Sequence, residues 1–356
     1  MAGEFTLFDH AKMFDAKGES ILPVANVLQK SDPILSDAIT IESNMDSGHQ
    51  YAVMTGMPEV TWRRAYEGVA PSKSTRKVVN ETYGRASTVS LVDVAIAEKG
   101  GKVNEVRAEE SERHLEAMSQ ELASKLIYGS VADDEKSFVG FAARYSSSTA
   151  GSAKNLIRVK TSAGGTTRRS SIYLVGWGKG KIFTFYPKGT TAGIKHYDFG
   201  GKPIDIVDAN GRTYPGYKDQ YECLMGLGVQ DWRYGARIAN IDLDDLDTKA
   251  KCIALYDKFI QALDAIQNFN GIKLVAYCNR EVKLALRNGF IGAGGSAIAY
   301  DGSHVVTAGI QTTPTMNQNG LLTSSGNIGY SAHDLVIDGV HIKAEDAIVS
   351  NEALIS

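Results

Sequence analysis

The segment from Tyr173 to Ile241 constrains the fold of this chain more than any other. It alternates short β-branched and aromatic runs with Gly, Pro, Asn and Asp, the residues that favour tight turns. Its turn signals are Gly178-Lys179-Gly180, Pro187-Lys188-Gly189, Gly200-Gly201 and Asp208-Ala209-Asn210-Gly211. The pattern predicts consecutive antiparallel hairpins. The segment has no nucleophile–base pair and no metal-ligand spacing, which favours a protein that makes shape and contacts over one that performs chemistry.

Composition narrows the class of protein. The chain has 356 residues, of which 43% are hydrophobic and 22% charged, as expected for a globular protein of two or more subdomains. A net charge of −3 does not suggest a dedicated nucleic-acid binder. The sequence contains no run of 18 apolar residues, so no membrane span is predicted. The acidic N-terminus does not resemble a signal peptide. The separated cysteines, Cys223, Cys252 and Cys278, predict buried thiols in a reducing compartment.

The clearest helix is predicted over residues 104–128. Leu115, Met118, Leu122 and Leu126 recur at spacings of three and four, which places them on one face. Asn104 is a suitable N-cap, and the following glutamates suit the positive end of the helix dipole. We expect this apolar face to pack against the β-rich region.

The regions before this helix have weaker periodicity. Residues 1–50 are predicted to form an arm that packs on something else. Residues 51–102 predict a protruding hairpin with arms around Val60–Val69 and Ala86–Ala97 and a polar, basic tip around Ser72–Thr82. Such an excursion is hard to accommodate within a compact monomer.

The C-terminal third predicts an α/β unit. A helix capped by Asp247 or Thr248, a buried strand over Ile272–Cys278 and a second helix capped by Asn279 and ending at Gly289 follow in order. Asp338-Gly339, between two apolar runs, predicts a further hairpin.

No catalytic, cofactor-binding or metal-ligating residue is assigned. The histidines do not cluster in sequence, and no common hydrolase, zincin or P-loop motif occurs. The acidic run Asp242–Asp247 lacks the glycine and glutamate of a calcium loop and is better read as helix capping. Residues 289–295 resemble a dinucleotide loop only loosely, because they follow a predicted helix and not a strand.

Charge is separated along the chain, which suits a protein that docks against copies of itself. Between Trp62 and Arg85 there are six basic residues against two glutamates, whereas acids concentrate between Glu105 and Glu121. We therefore expect contacts between subunits from a basic set to an acidic set. These sets are Arg63, Arg64, Arg76 and Lys77 on one side, and Glu109, Glu110, Glu112 and Glu116 on the other.

Four segments carry a resemblance to a known family. They read FTFYPKGTTAGIKHYDFG, VDANGRTYPGYKDQYECLMGLGVQDWRYGARIANID, AYCNREVKLALRN and LVIDGVHIKAEDAIVSNEALI. Together with the order of predicted elements, they resemble the major capsid proteins of tailed double-stranded DNA phages, in the subgroup from short-tailed phages. The resemblance covers most of the chain and is weakest over residues 1–60 and 289–332.

The resemblance implies an α+β, HK97-like capsid fold. Its parts would be an N-terminal arm (1–50), an extended E-loop (51–102), a P-domain (103–245) with spine helix 104–128 and hairpin region 173–241, an A-domain (246–333) and a C-terminal strand returning to the core (334–356). It implies hexamers and pentamers in an icosahedral head around double-stranded DNA. It also implies scaffold, portal and possibly decoration proteins as partners, no cofactor, no enzymatic activity, no membrane, and a virion protein assembled in the host bacterial cytoplasm.

Two alternatives stay open from sequence. An encapsulin-like or tail shell protein would share the architecture and, in the encapsulin case, enclose cargo proteins in place of DNA. The second alternative is an enzyme whose site is assembled from dispersed residues. The absence of catalytic motifs weighs against it.

Overall fold

The computed structural model describes residues 32–98, 103–147, 155–160, 167–208, 210–266, 271–292, 297–301, 304–308 and 335–355. Most of the predicted N-terminal arm and most of residues 289–334 lie outside these ranges. The helices are α1 (Pro33–Asp37), α2 (Val94–Ala97), α3 (Val103–Tyr128), α4 (Phe141–Arg144), α5 (Lys249–Asp264) and α6 (Arg280–Gly292). The first strands are β1 (Thr40–Glu42), β2 (His49–Gly56), β3 (Thr75–Glu81), β4 (Gly84–Asp93), β5 (Leu156–Arg158), β6 (Arg169–Trp177), β7 (Ile182–Tyr186) and β8 (Ile194–Tyr197). The remaining strands are β9 (Ile204–Val207), β10 (Thr213–Val229), β11 (Gly235–Asp242), β12 (Lys273–Cys278), β13 (Ala297–Asp301), β14 (His304–Ala308), β15 (Leu335–Ile337) and β16 (Val340–Ala344).

One large mixed sheet organises the described chain. Its longest path runs β14-β13-β15-β16-β12-β6-β7-β10-β4, and β5 and β11 join beside β6. β6 is buried along almost its whole length, because α3 and α4 contribute to the core on one face and α5 and α6 to the core on the other. This double coverage explains why residues 172–177 of β6 form a continuous apolar run and do not alternate.

The 17-residue strand β10 holds the β-rich region together. One edge pairs antiparallel with β4, and the other edge pairs in succession with β9, β8 and β7. The predicted run of consecutive hairpins is therefore wrong in part. The Asp208–Gly211 turn does join β9 and β10 as a hairpin, but β6 and β7 diverge after Gly178–Gly180 to join different partners. Local turn signals were correct, while long-range pairing with β10 decided the topology.

The long helix is confirmed at Val103–Tyr128, with 26 residues and a length of about 39 Å. Met118, Leu122 and Leu126 are buried, and Leu115 is partly buried on the same face. Met118 and Leu122 pack against Tyr221 and Cys223 of β10. The predicted contact with the β-rich region is thus confirmed.

The α/β unit near the C-terminus is confirmed, with one boundary shifted. Thr248 occupies the N-cap position of α5, and the Asn279 side chain accepts the Glu281 amide at the start of α6. Helix α6 continues to Gly292, past the predicted end at Gly289. Gly289 lies against the Cys252 carbonyl of α5, where a Cβ would overlap it. The glycine permits close packing of the two helices and does not terminate α6.

The core under α5 and α6 also takes in β6 and β11. Ile172, Leu174 and Ile238 pack with Phe259 and Leu286 in the same cluster. This core therefore includes residues from both sides of position 245. Cys223, Cys252 and Cys278 are buried, as predicted.

The C-terminal hairpin is confirmed and enters the sheet centre. Asp338 and Gly339 have φ of 50° and 77° and join β15 to β16, which lies parallel to β12. Beyond it, buried Glu352 accepts hydrogen bonds from Arg237 at 2.9 Å and from Tyr128 at 2.6 Å. The end of the described chain is thereby fixed inside the fold.

The predicted arms of the protruding hairpin are wrong. The structure pairs β2 with β3 in a separate two-stranded ribbon, and β3 occupies most of the predicted tip Ser72–Thr82. The predicted returning arm, Ala86–Ala97, is β4 followed by α2, and β4 pairs with β10 in the main sheet. Pairing with ten residues of β10 holds β4 in the body, so the protrusion ends at Glu81.

Candidate assembly surface

The ribbon (residues 49–81) ends in an exposed segment, the ribbon tip (residues 57–74). The tip has no strand or α-helix, and its large apolar side chains face solvent in the isolated subunit. Trp62 is 97% exposed and Tyr66 is fully exposed, and Met57, Val60 and Val69 are also exposed. Soluble proteins rarely leave a contiguous apolar segment uncovered, so this segment is typical of an interaction surface.

Basic residues accompany these apolar side chains. Arg63 and Arg64 lie in the tip, and Arg76 and Lys77 lie on β3, all four exposed. The Arg63 guanidinium donates to the Glu67 carbonyl at 3.1 Å, and the Arg64 amide donates to the Glu67 carboxylate at 2.9 Å. Within the described chain, none of the four basic side chains forms a salt bridge. Residues 57–77 therefore carry five basic residues against two acidic ones, Glu59 and Glu67.

The root of the ribbon is fixed by a buried ion pair. Glu81, the last residue of β3, is 7% exposed and receives two hydrogen bonds from the Arg144 guanidinium, at 2.8 and 2.7 Å. The Tyr51 hydroxyl donates to the same carboxylate at 2.6 Å and lies 2.9 Å from the Val229 carbonyl. Burial, followed by the nearby Glu81 charge, raises the pKa of Tyr51, so the hydroxyl keeps its proton. Bidentate pairing of this kind fixes orientation as well as distance.

An aromatic contact supports the root. The His49 ring lies 5.2 Å from Phe183 and 5.4 Å from Phe185 between ring centroids, which joins β2 to β7. Burial lowers the pKa of His49 and favours the neutral ring in this apolar contact. The ribbon therefore leaves the body at a fixed root and presents its apolar tip at the far end.

The acidic set lies on the first half of α3. Glu109 and Glu110 pair with Arg113 on the same helix, at 2.6 and 3.3 Å, and Glu116 accepts from Gln120 at 3.3 Å. Glu112 is exposed and forms no salt bridge among the described residues. Burial raises the pKa of Glu109, and the Arg113 charge opposes this rise. In the described chain, no salt bridge joins the acidic set to the basic residues of the ribbon, so one subunit does not bring the two sets together.

Helix α3 is held to the body by a charged cluster. The Arg107 guanidinium donates to both carboxylate oxygens of Asp219 on β10, at 3.0 and 2.7 Å, and His196 lies 2.9 Å from the same carboxylate. Burial disfavours the Asp219 charge, but the hydrogen bonds from Arg107 and His196 outweigh it and lower the pKa of Asp219. The acidic face of α3 is thus presented by a firmly attached helix.

A groove of about 380 Å³ lies between α3 and β4, directly after the acidic set. Ala86, Met118, Leu122 and Phe138 contribute its apolar lining. Its charged lining residues have both signs and comprise Arg85, Glu121, Lys125, Asp134 and Lys136. The groove is large enough to accept an aromatic side chain from another molecule.

The described residues contain no group of three or more His, Cys, Asp or Glu side chains that could hold a metal ion. No helix among them has the length and apolar content needed to cross a membrane.

The sequence predictions for this candidate surface named its charged residues and did not name its exposed aromatic residues or its buried root. The exposed aromatic residues Trp62 and Tyr66 carried a usable signal, because they lie between Pro58 and Pro71 in a stretch with no apolar periodicity. The contact between Glu81 and Arg144 had no such signal, since 63 positions separate the two residues.

Comparisons with known proteins fit this architecture. A model of the family described as "Major capsid protein GP7" matches residues 15–356. The cryo-EM structure of bacteriophage Epsilon15 is similar at 23% identity and a TM-score of 0.71, over 100% of this chain and 99% of that chain. A native GTA particle capsid is similar at 9% identity and a TM-score of 0.44, over 65% of this chain and 96% of that one. The SrpI encapsulin of Synechococcus elongatus PCC 7942 is similar at 10% identity and a TM-score of 0.42, over 67% of this chain and 96% of that chain. No curated protein matches the chain.

The α+β architecture is the HK97-like fold, and the protein is a structural capsid shell protein. Because the family match covers nearly the whole sequence, the chain belongs to the major capsid protein GP7 family. Copies of the chain therefore assemble with one another into capsids.

Proposed function

We propose that this capsid protein forms hexamers and pentamers that close an icosahedral head around double-stranded DNA, and that the ribbon is the E-loop through which each subunit grips its neighbour. The observation that carries the proposal is the apolar, basic ribbon tip on a fixed root. Its large apolar side chains are exposed, and Arg63 and Arg64 form no salt bridge among the described residues. A subunit of a homo-oligomeric shell has identical neighbours that can cover these side chains.

The parts of the fold are assigned on this basis. Residues 1–50 form the N-terminal arm and residues 51–102 the E-loop region, in which the protruding part is the ribbon. Residues 103–245 form the P-domain with α3 as its spine helix, residues 246–333 the A-domain, and residues 334–356 the strand that returns to the core.

The neighbouring subunit's α3 is the proposed receiving surface. Arg63, Arg64, Arg76 and Lys77 would face Glu109, Glu110, Glu112 and Glu116 of that neighbour, and Trp62 would enter its groove between α3 and β4. Exposed ion pairs contribute only about 0–1 kcal/mol each. Because the same ion pairs repeat around a capsomer, their contribution to assembly is multiplied. The apolar contact of Trp62 with the groove supplies the rest of the binding free energy.

The same reading assigns the other partners. The shell would contact packaged DNA without reading its sequence, since the net charge is −3 and no base-reading motif is present. Scaffold, portal and possibly decoration proteins would act during assembly in the host cytoplasm, and the chain would have no enzymatic activity. Weak DNA binding that disappears steeply with added salt, in gel-shift titrations of subunits with unrelated duplexes, is the expected result. Tight, salt-resistant binding to one sequence would contradict it.

A charge-reversal experiment tests the contact between subunits. Arg76→Glu with Lys77→Glu should reduce shell yield in electron micrographs without changing subunit melting. Combining it with Glu112→Lys and Glu116→Lys in the same chain should restore part of the yield, because every interface then regains opposite charges. The control is Lys179→Glu, at an exposed lysine outside the ribbon, which should assemble normally. Normal assembly by the first variant would contradict the proposed contact.

A further inference from the structure

A fully buried glutamate lies at the junction of α1, β12 and the C-terminal segment. Glu345 directly follows β16 and has no exposed surface. Its Oε2 accepts the Ile34 amide at 3.0 Å, while its own amide donates to the Cys278 carbonyl at 2.9 Å. Its carbonyl accepts the Ile348 amide at 3.2 Å. Both the side chain and the backbone of Glu345 are thereby held in place.

A second carboxyl group faces Glu345. Asp32 occupies the N-cap position of α1, but its side chain does not cap the helix and lies within hydrogen-bonding reach of the Glu345 carboxyl. Glu345 Oε1 and Asp32 Oδ1 are both buried and receive no N–H or O–H hydrogen bond from the described residues. Ionised carboxylates only accept hydrogen bonds, so a hydrogen bond between these two groups requires a proton on one of them.

The surrounding charged groups have other partners. Lys273 and Lys343 both contact Asp37, at 2.7 and 2.8 Å, and the Tyr277 hydroxyl donates to Asp37 at 3.0 Å. The other titratable groups on elements packed nearby are also engaged, in the pairs Arg280–Asp346, Arg237–Glu352 and Tyr128–Glu352. Lys273 and Lys343 therefore neutralise Asp37, at the other end of α1.

We propose that Asp32 and Glu345 share one proton and form a pH-sensitive latch that fastens α1 to the core. Burial, opposed by the Ile34 amide and reinforced by Asp32, raises the pKa of Glu345 from its ordinary value of 4.5 to about 8. Because the folded-state pKa is the higher one, the protonated latch is favoured at low pH and is lost as the pH rises through about 8.

The latch acts where the N-terminal region joins the described body. Ile34 is fully buried and packs in one cluster with Leu126 and Ile127 of α3. Loss of the shared proton places two negative charges in this junction and favours release of α1 before the core unfolds. The position of α1 on the core then depends on pH, and this inference does not rest on the proposed capsomer contacts.

Hydrogen exchange of the full-length protein across about pH 6 to 10 tests the latch. After correction for intrinsic base-catalysed exchange, protection of the Ile34 and Ala38 amides should fall by up to about tenfold per pH unit as the pH rises towards about 8, and should level off above it, where the carboxyl is ionised in both states. In Glu345→Gln the amide donates permanently to Asp32 while its oxygen accepts the Ile34 amide, so protection should stay flat. Glu352→Gln, at a buried carboxylate paired with Arg237, should keep the wild-type profile in α1.

Parallel pH profiles for the wild type and Glu345→Gln would overturn the proposal. If Glu345→Gln fails to fold, Asp32→Asn provides an amide donor to Glu345 in its place. This variant must also remove the pH dependence of protection in α1. The infrared C=O band of a protonated carboxylic acid should be present at neutral pH in the wild type and lost in Asp32→Asn. A band that persists in that variant would also contradict the shared proton.

Discussion

The ribbon tip and the sheet core use the same kinds of residue in opposite ways. Trp177 in β6 is fully buried, and its indole donates to the Tyr277 hydroxyl at 2.9 Å, whereas Trp62 in the tip is 97% exposed. Arg237 in the core is paired with Glu352 at 2.9 Å, whereas Arg63 and Arg64 have no carboxylate salt-bridge partner in the described chain. Trp177 and Arg237 therefore find their partners within one subunit, whereas under the proposed contact the side chains of the tip are covered only by a second subunit.

The stability of the folded subunit and the stability of the assembled shell should therefore depend on different residues. Substitutions in the core or at the ribbon root should lower the free energy of unfolding of the subunit. Substitutions in the tip should leave folding intact and change assembly.

Arg144→Ala should have the largest effect, because it leaves Glu81 buried without its charged partner. Removing one member of a buried ion pair costs about 3–5 kcal/mol. Chemical denaturation of unassembled subunits measures this cost. Arg113→Ala, which removes a surface pair on α3, is the control and should cost a few tenths of a kcal/mol. Equal losses would show that the ribbon root is not the buried clamp described above.

Leu126→Ala should destabilise the subunit by about 2–5 kcal/mol, through lost burial and the cavity that remains. Leu126 is fully buried among residues from α1 and β6. Glu112→Ala, on the exposed side of the same helix, should change stability by less than about 0.5 kcal/mol. Similar melting temperatures for the two variants would show that the buried face of α3 has been assigned to the wrong residues.

Gly339→Ala should cost about 1 kcal/mol, because Gly339 has φ of 77° in the turn between β15 and β16. Thermal denaturation against the wild type measures this cost. The control is Gly68→Ala in the ribbon tip, where no atom lies within 4 Å of the added Cβ and φ is not positive. A loss at Gly68 as large as that at Gly339 would argue that the tip is folded as tightly as the core.

Trp62→Ala should have almost no effect on subunit stability, within about 0.5 kcal/mol, because the side chain has little contact to lose. Assembly should nevertheless weaken, since aromatic anchors contribute disproportionately to interfaces. The onset concentration for shells, followed by light scattering, should rise. A lower melting temperature with unchanged assembly would assign Trp62 to the subunit core.

Sequence predicted the parts of this fold that local physics determines. Helix α3 followed from the spacing of Leu115, Met118, Leu122 and Leu126, and the C-terminal hairpin followed from Asp338-Gly339, because both signals act within a few residues. The arms of the ribbon did not follow, because β3 and β4 have similar extended sequences. Only β4 finds a long partner in β10, more than a hundred positions away, and local patterns do not encode that choice.

The candidate surface was predictable to a smaller extent. Clustered charge identified Arg76, Lys77 and the acidic half of α3, since charge is visible along a sequence. The pairing of Glu109 with Arg113 was not foreseen, although their spacing of four residues on a helix permits it. The groove beside α3 depends on how a helix and a strand pack, which sequence alone does not show.

Deleting most of the ribbon tip is the most direct test of the account. Residues 58–73 would be replaced by a short Gly-Ser turn, leaving β2, β3 and the Glu81–Arg144 pair intact. Melting of the subunits and electron microscopy of the products would be measured together. We predict an unchanged melting temperature and no closed shells. Normal shells from this variant would contradict the central claim that the ribbon tip binds neighbouring subunits.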